Sequence, residues 1–270
     1  MLQGVFMSSV FEEEHVRWYK ADLHIHTVLS PCADLSMGPK HIVEKAIKQG
    51  LDIIAITDHN SCENIRAVLD VAKGTGLTVI PGLEVYTREE AHMICLFESL
   101  RAAQSFQKLI YEHLPDGEND VDWFGPQYIV DANEAILLES SKLLGMATNL
   151  SAQEILNAVG KLGGIAYPAH IDRKANSLIR ALGFIPTSWP IHAVEIAQSF
   201  EQAAQEHRFL KNTSYSIIRS SDAHFIEHLG EKHTFFHLKQ PTFKEFCMAI
   251  KKENGRTCAL SIESAQQYVS

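Results

Sequence analysis

The stretch "ADLHIHTVLSPCAD", residues 21–34, ends an apolar run with two histidines one residue apart. On a β-strand alternate side chains share a face, so His24 and His26 project together as a two-pronged imidazole clamp. An isolated H-x-H reads equally well as two polar residues at a sheet edge, and the rest of the chain decides between the readings. An acidic residue or histidine stands at or just beyond the C-terminal end of most other apolar runs: Asp58 and His59 in "ITDH", Glu84 in "GLEV", His170 in "PAH", Asp222 and His224 in "SSDAH". His92 differs, because it begins its run, "AHMICLF". Imidazole mixed with carboxylate suits Zn, Mn or Fe, and six histidines (His24, His26, His59, His92, His170, His224) with at least three carboxylates exceed the needs of one ion. Three divalent ions facing Asp34, Glu84, Asp222 and one bridging hydroxide retain about two positive charges, which complements a phosphate dianion. The chemistry implied is metal-assisted hydrolysis of a phosphate ester. The remaining histidines (His15, His41, His113, His192, His207, His228, His233, His237) fall mostly in helices or loops, with His192 and His228 nearest to the strand ends.

Such residues need strand ends to hold them. Seven apolar runs read as strands: "ADLHIH", "LDIIAITDH", "LTVIPGLEV", "AHMICLF", "GGIAYPAH", "AVEIAQ" and "SYSIIRSSDAH". Helical periodicity alternates with them, which argues for an α/β fold of parallel β/α units, whose C-terminal strand ends carry the chemistry. The helix opening at Pro39 places Ile42, Val43, Ala46 and Ile47 on one face and stops at Gly50. Ser151 and Glu154 have capping-box spacing ahead of a stripe of Ile155, Leu156, Val159 and Leu162. Residues 62–75 and 241–254 read as helices too. The expected organisation is one domain over residues 1–270, with 1–20 as an N-terminal arm. Residues 115–149 depart from the alternation and read as a β-hairpin inserted on the functional rim, around a polar "DANE" turn. Its Trp123, Phe124 and Tyr128 are placed either to stack on a base or to pin the hairpin to the barrel.

A net charge of −9 disfavours polyanionic partners, so a small phosphorylated substrate, nucleotides included, is expected, with no long nucleic acid and no membrane. Five cysteines form no C-x-x-C pair, which suits a reducing cytoplasm. Glu12, Glu13 and Glu14 interrupt any signal-peptide pattern, and no run approaches the roughly 18 apolar residues that span a bilayer. There is no G-x-S-x-G elbow, Gly-rich phosphate loop or dinucleotide fingerprint.

Taken in order over about residues 20–225, "DLHIHT", "ITDHN", "GLEV", "AHMICLF", "PAH" and "SSDAH" resemble the PHP (polymerase and histidinol phosphatase) family of metal-dependent phosphoesterases. The resemblance implies a distorted seven-stranded, TIM-like β/α barrel with two or three divalent ions, Mn, Fe or Zn. It implies one ion among His24, His26, Glu84 and Asp222, with Glu84 bridging to a second held by His92 and His170. A third would take His59, His224 and an acidic residue from the loop after H-x-H. The chain departs from the commoner "HTxxSDG" form, because Pro31 follows Ser30 and cannot coordinate through its side chain. Asp34 is the expected replacement, since a hard carboxylate matches Mn or Fe; Cys32 is its competitor, and a thiolate would bias the site toward Zn.

Asp58 and Glu195 are expected to orient ligand imidazoles. Asp222, His224 and Arg173 are the expected catalytic groups, Arg173 as a planar fork for phosphate, with Lys174, Arg219 and Arg88 as weaker choices. The expected substrate is a phosphomonoester or a small nucleotide phosphodiester. Rival activities are a short-oligonucleotide nuclease, a metal-dependent C–N hydrolase and a non-catalytic metal- or ligand-binding module.

Overall fold

The computed structural model describes residues 16–261 and Glu263, so His15 and most of the expected arm lie outside the described residues. The strands are β1 (Arg17–Ile25), β2 (Ile53–Ile56), β3 (Thr78–Tyr86), β4 (His92–Leu96), β5 (Tyr128–Val130), β6 (Ile136–Glu139), β7 (Ile165–Pro168), β8 (Ala193–Glu195), β9 (Ser216–Ile218), β10 (Thr234–Leu238) and β11 (Thr257–Ala259). The helices are α1 (Pro39–Lys48), α2 (Ile65–Ala72), α3 (Leu100–Glu112), α4 (Val121–Phe124), α5 (Ala152–Lys161), α6 (Leu178–Leu182), α7 (Phe200–Glu206) and α8 (Phe243–Lys251). Because β1 starts at Arg17, residues 17–20 of the expected arm are strand. Among the described residues no helix is long and apolar enough to cross a membrane.

A seven-stranded sheet runs β11-β10-β1-β2-β3-β4-β7 and curls, with β8 and β9 pairing parallel beside it. Backbone bonds link the two sheets at one rim: Ile171 N–H donates to Glu195 O at 2.9 Å, His26 N–H donates to Ala223 O at 3.1 Å and Ala223 N–H donates to His24 O at 3.3 Å. All seven expected strands therefore take part in the curl. The unforeseen pair is β10 and β11, which add to the other half of the β1 edge. β10, "TFFHL", is only five residues long and alternates buried with half-buried positions, a weak signal in a loop-rich stretch.

The expectation of uniformly parallel strands is corrected by β4. It pairs antiparallel with both β3 and β7, because only Thr87–Ala91 link β3 to β4 and so short a connection permits a hairpin but no crossover. The reversal explains His92: a residue at the start of β4 reaches the same rim as residues at the ends of β1, β2 and β3.

The strands are buried on both faces, as a curled sheet under helices requires. Leu23, Ala55, Ile80, Ile94, Leu96, Tyr167 and Phe236 fill the inside, while Ile25, Ile54, Ile56, Leu83, Val85 and Met93 pack against α1, α2, α3 and α5. Sequence signals set these helices locally. Pro39 opens α1 and buries Ile42, Val43 and Ala46 behind it, and both halves of the Ser151–Glu154 capping box form at α5.

Candidate metal centre

The rim gathers the candidate metal-ligating residues into one cluster. Glu84, at 1% exposure, stands at its middle. Its Oε1 lies 2.8 Å from His92 Nδ1 and 3.2 Å from both His24 Nε2 and His170 Nε2. Its Oε2 lies 3.0 Å from His59 Nδ1 and 3.4 Å from His26 Nε2. Asp222 Oδ1 is 3.2 Å from His24 Nε2 and from His26 Nε2, and 3.6 Å from His224 Nδ1. Three sets of donors converge closely enough to share an ion: His24, His26, Glu84 and Asp222; His59, Glu84 and His92; His26, His59 and His224. The pairing register of β1 with β2 shifts between Asp22 and Ile25, just where β1 enters the cluster. His170 and Asp222 hold φ of 28° and 53°, a left-handed conformation that costs about 1–3 kcal/mol each in non-glycine residues and gathers at functional sites.

These groups set one another's charge. Burial pushes the Glu84 carboxyl up, but the His92, His24 and His59 imidazoles outweigh it and hold that carboxyl well below the usual range. Burial likewise opposes ionisation of Asp222, and His24 and His26 prevail. Burial lowers His26, yet Asp222 and Glu84 bring it up to about 9. His59 is lowered by burial and by His26, and Glu84 still brings it up to about 9. At His92 burial wins against Glu84 and the ring falls to about 4. Burial, then His26, take His224 down to about 3.

The donor set fits divalent cations. Glu84 Oε2, Asp222 Oδ1 and His170 Nδ1 are buried without a hydrogen bond, an arrangement that is costly unless a cation meets the lone pairs. The supporting bonds also point the ligand nitrogens inward. Glu195 Oε1 accepts from His24 Nδ1–H at 3.0 Å and from His170 N–H at 3.2 Å, leaving the His24 Nε2 lone pair for a metal.

Asp58 touches no imidazole. It accepts from Thr27 N–H at 2.6 Å, Thr27 Oγ1 at 2.8 Å and Ser30 Oγ at 2.7 Å, so its expected orienting role runs through Ser30. With its one proton given to Asp58, the Ser30 hydroxyl can only accept from His26 Nδ1–H at 2.9 Å, which fixes the His26 tautomer. Ser30 stood in the sequence only as a motif landmark; its spacing four residues after His26 is the signal that could have found it. Ser30→Ala is expected to weaken metal affinity about 10- to 100-fold, read by competition with a chromogenic chelator. Unchanged affinity would remove this role.

Of the expected ligands, the structure brings together His24, His26, His59, Glu84, His92, His170, Asp222 and His224. It does not bring in Asp34. That side chain is exposed, and its Oδ1 accepts from Ser36 N–H at 2.8 Å in a local turn. Its own N–H donates to His224 O at 2.8 Å, which ties the backbone to the rim and leaves the carboxylate facing out. Arg173 does arrive, with Nη2 at 2.6 Å from Asp222 Oδ2 and a side chain 44% exposed.

The description "PHP domain" matches residues 22–185, and "PHP-associated" matches residues 201–254. The chain belongs to the PHP family. It has the mixed α/β fold of that family's metal-dependent phosphoesterases, which are hydrolases. Endonuclease Q from Pyrococcus furiosus, described as lesion-specific, aligns with a TM-score of 0.69 at 22% identity over 90% of this chain and 58% of that one. A metal-dependent phosphoesterase from Bifidobacterium adolescentis aligns with a TM-score of 0.52 at 18% identity over 82% of this chain and 89% of that one. The 5'-3' exoribonuclease of Haemophilus influenzae is 33% identical over 75 residues, 28% of this chain and 26% of the relative. This PHP chain thus spans little more than half of endonuclease Q and matches about a quarter of the exoribonuclease.

One expectation is overturned by these relatives. Endonuclease Q is also known in complex with a 27-mer duplex carrying an abasic lesion at its active site, with a TM-score of 0.67 to this chain. The net charge of −9 therefore gives no ground for excluding long nucleic acid. Metal charge concentrated at a rim outweighs an average spread over the whole surface.

Residues of the segment 115–149 pack against this rim. β5 and β6 pair antiparallel, and the segment is tied to the loops after β1, β2 and β3. Tyr128 N–H donates to Val28 O at 2.9 Å, Asn60 Nδ2 donates to Leu144 O at 2.8 Å and Met146 O at 2.9 Å, and Thr148 N–H donates to Tyr86 O at 2.9 Å. Gly125 packs directly on the Pro31 carbonyl, where a Cβ would collide, so a side chain there would lift the insertion off the H-x-H loop. Tyr128 is half-buried and pins the hairpin to the core, whereas Trp123 is 84% exposed.

Proposed function

We propose that this chain is a multinuclear phosphodiesterase that acts on nucleic acid or nucleotides with two or three divalent ions, Mn, Fe or Zn. The observation that carries the reading is the single carboxylate of Glu84 with five imidazoles within 3.4 Å, beside an arginine at the mouth. His24, His26, Glu84 and Asp222 would hold one ion, Glu84, His92 and His170 a second, and His59 with His224 a third. Bound there, the ions supply a hydrolytic water of lowered pKa and neutralise phosphoryl oxygens. The chain supplies the rest. Glu195 and Ser30 hold His24 and His26 in their ligating tautomers, and burial keeps His224 neutral at pH 7 with a lone pair to offer. Arg173 can exchange Asp222 for a phosphoryl oxygen, since its fork is half exposed and anchored only at one end.

The diester reading is favoured by the names of two relatives, an exoribonuclease and a lesion-specific endonuclease. Exposed Trp123 on the rim insertion offers a stacking face for an unpaired base. All five cysteines are free, which fits the reducing cytoplasm expected for the protein. The test is a panel of end-labelled RNA and DNA oligonucleotides, single-stranded and duplex, with mononucleotides and sugar phosphates. Each is assayed on metal-stripped protein resupplied with Mn, Fe or Zn. Metal-dependent cleavage of oligonucleotides is expected; turnover confined to monoesters would overturn the diester reading.

Arg173→Ala is expected to keep the metals and to lower both kcat and kcat/KM by about 10- to 1000-fold, the scale for losing a group that stabilises transition-state charge. A rise in KM alone would make the residue a uniform binder. Wild-type kinetics would return it to the solvated surface.

A further inference from the structure

Away from the metal centre, β9 and β11 adjoin along a seam that no backbone ladder closes among the described residues: β11 is the last strand of the seven-stranded sheet, and β9 pairs only with β8. Side chains hold the seam instead. Ser216 Oγ–H donates to Ile250 O at 2.8 Å, Lys252 Nζ donates to Ser214 O at 2.9 Å and to Tyr215 O at 3.2 Å, and Cys258 Sγ lies 3.9 Å from Ile217 O. Beside it a cavity of about 560 Å³ lies between β9, β11, the start of α7 and the 3-10 turn Arg208–Asn212. Small-molecule sites span roughly 300–1,000 Å³. None of the residues lining this cavity belongs to the metal cluster.

The lining is cationic in a chain whose net charge is −9. Lys211, Arg219 and Lys252 are matched by a single carboxylate, Glu201. Arg219 is held at its backbone, where its N–H donates to Thr234 Oγ1 at 2.8 Å and its O accepts from that hydroxyl at 2.9 Å. Its Nε is nevertheless buried with no hydrogen-bond partner among the described residues. A buried donor of this kind costs free energy until an acceptor meets it, and the planar guanidinium fork matches phosphate. Lys252 has given two of its three protons to carbonyls, and Lys211 stands exposed. Phe200 and Tyr215, both packed against the core on one side, supply an aromatic wall.

We propose that this seam cavity binds a small phosphorylated compound with a flat ring, of the nucleoside monophosphate class, its phosphate on Arg219 and Lys211 and its ring against Phe200 and Tyr215. A dianion answers a lining in which cations outnumber carboxylates, and charge-assisted bonds to it satisfy the orphaned Nε. A flat ring covers the aromatic wall, which inorganic phosphate alone would leave wet. Arg219, on sequence grounds a weaker choice for the fork on a metal-bound phosphate, finds its acceptor here.

The test uses the full chain stripped of metal, which removes the ions that would hold phosphate at the rim. Titration calorimetry with adenosine 5′-monophosphate (AMP) is expected to give one saturable site. Adenosine and inorganic phosphate, lacking the charge or the ring, should each bind about tenfold more weakly or worse. Lys211→Glu, at an exposed position, should weaken AMP about tenfold, whereas Arg173→Ala at the metal mouth should leave this affinity unchanged. Photolysis with 8-azido-AMP, which needs no variant, should label peptides carrying Phe200 or Tyr215, located by mass. Absent AMP binding, inorganic phosphate binding as tightly as AMP, wild-type affinity in Lys211→Glu, or label confined to peptides of the metal rim overturns the proposal. Metal-dependent oligonucleotide cleavage without AMP binding overturns the cavity assignment alone, and AMP binding without cleavage leaves it standing while the proposed function fails.

Discussion

Glu84→Gln is expected to remove at least one ion and to lower turnover by about a thousandfold or more. Glutamine keeps the volume, so the core around Leu83 and Val85 has no cavity to fill. What is lost is the charge that His24, His26, His59, His92 and His170 all face. An amide can offer a metal only its neutral oxygen, and its nitrogen end would point a donor at a ligand position. In the metal-free protein the same change leaves buried imidazoles without their counter-charge, an error of about 3–5 kcal/mol in buried ion pairs. The checks are elemental analysis after desalting, the rate on the best substrate of the panel, and circular dichroism to establish folding. A folded Glu84→Gln protein with its full metal content and more than a tenth of the wild-type rate would dismantle the shared-carboxylate assignment.

The second large effect is on stability without metal. His26 and His59 are raised from 6.5 to about 9 in the folded chain, chiefly against burial and through Asp222 and Glu84. Their contribution is therefore fully present below pH 6.5 and is lost as pH rises through 9, about 3 kcal/mol for each as an order of magnitude. His92 and His224 are depressed, to about 4 and about 3, so the unfolded chain takes up their protons first. Stability from these two is present above pH 6.5 and is lost as pH falls toward 4. Glu84 and Asp222, held below the usual carboxylate range, add to the acid loss.

The metal-free protein should thus be most stable near pH 6.5 and weaken on both sides. Divalent ions replace the protons and bind better as the imidazoles become neutral. Each ion at 1,000 times its Kd adds about 4 kcal/mol, which at about 2–4 °C per kcal/mol raises Tm by roughly ten degrees. The gain should be larger at pH 9 than at pH 6.5. Thermal melts at pH 5, 6.5 and 9, with and without Zn, read all of this at once. A metal-free Tm that stays level from pH 6.5 to 9 would contradict the charge arrangement at Glu84.

Strand periodicity made much of the site readable. A period of two places His24 and His26 on one face whatever the rest of the chain does, and the strand ends at Ile56, Tyr86, Pro168 and Ile218, close to Asp58, Glu84, His170 and Asp222, are marked by the close of their apolar runs. The anomalous His92 was visible as an anomaly, but its cause was not. A five-residue link forces β4 to run backward, and only the paired sheet shows that this returns His92 to the common rim. β10 and β11 escaped because three to five residues of alternation carry little information until β1 supplies a partner.

The identities of the candidate ligands and the rim that bears them are local properties of the sequence, because alternation and strand termination depend on near neighbours. What tertiary structure decided is which groups meet. Arg173 reaches Asp222 from another loop, Ser30 carries the influence of Asp58 to His26, and Asp34 turns outward into a local turn with Ser36. Those outcomes are set by a bond from Asp34 N–H to His224 O and by the insertion packed through Gly125 onto Pro31. A loop's side chains point where its distant contacts turn the backbone, and no spacing within the loop encodes that direction.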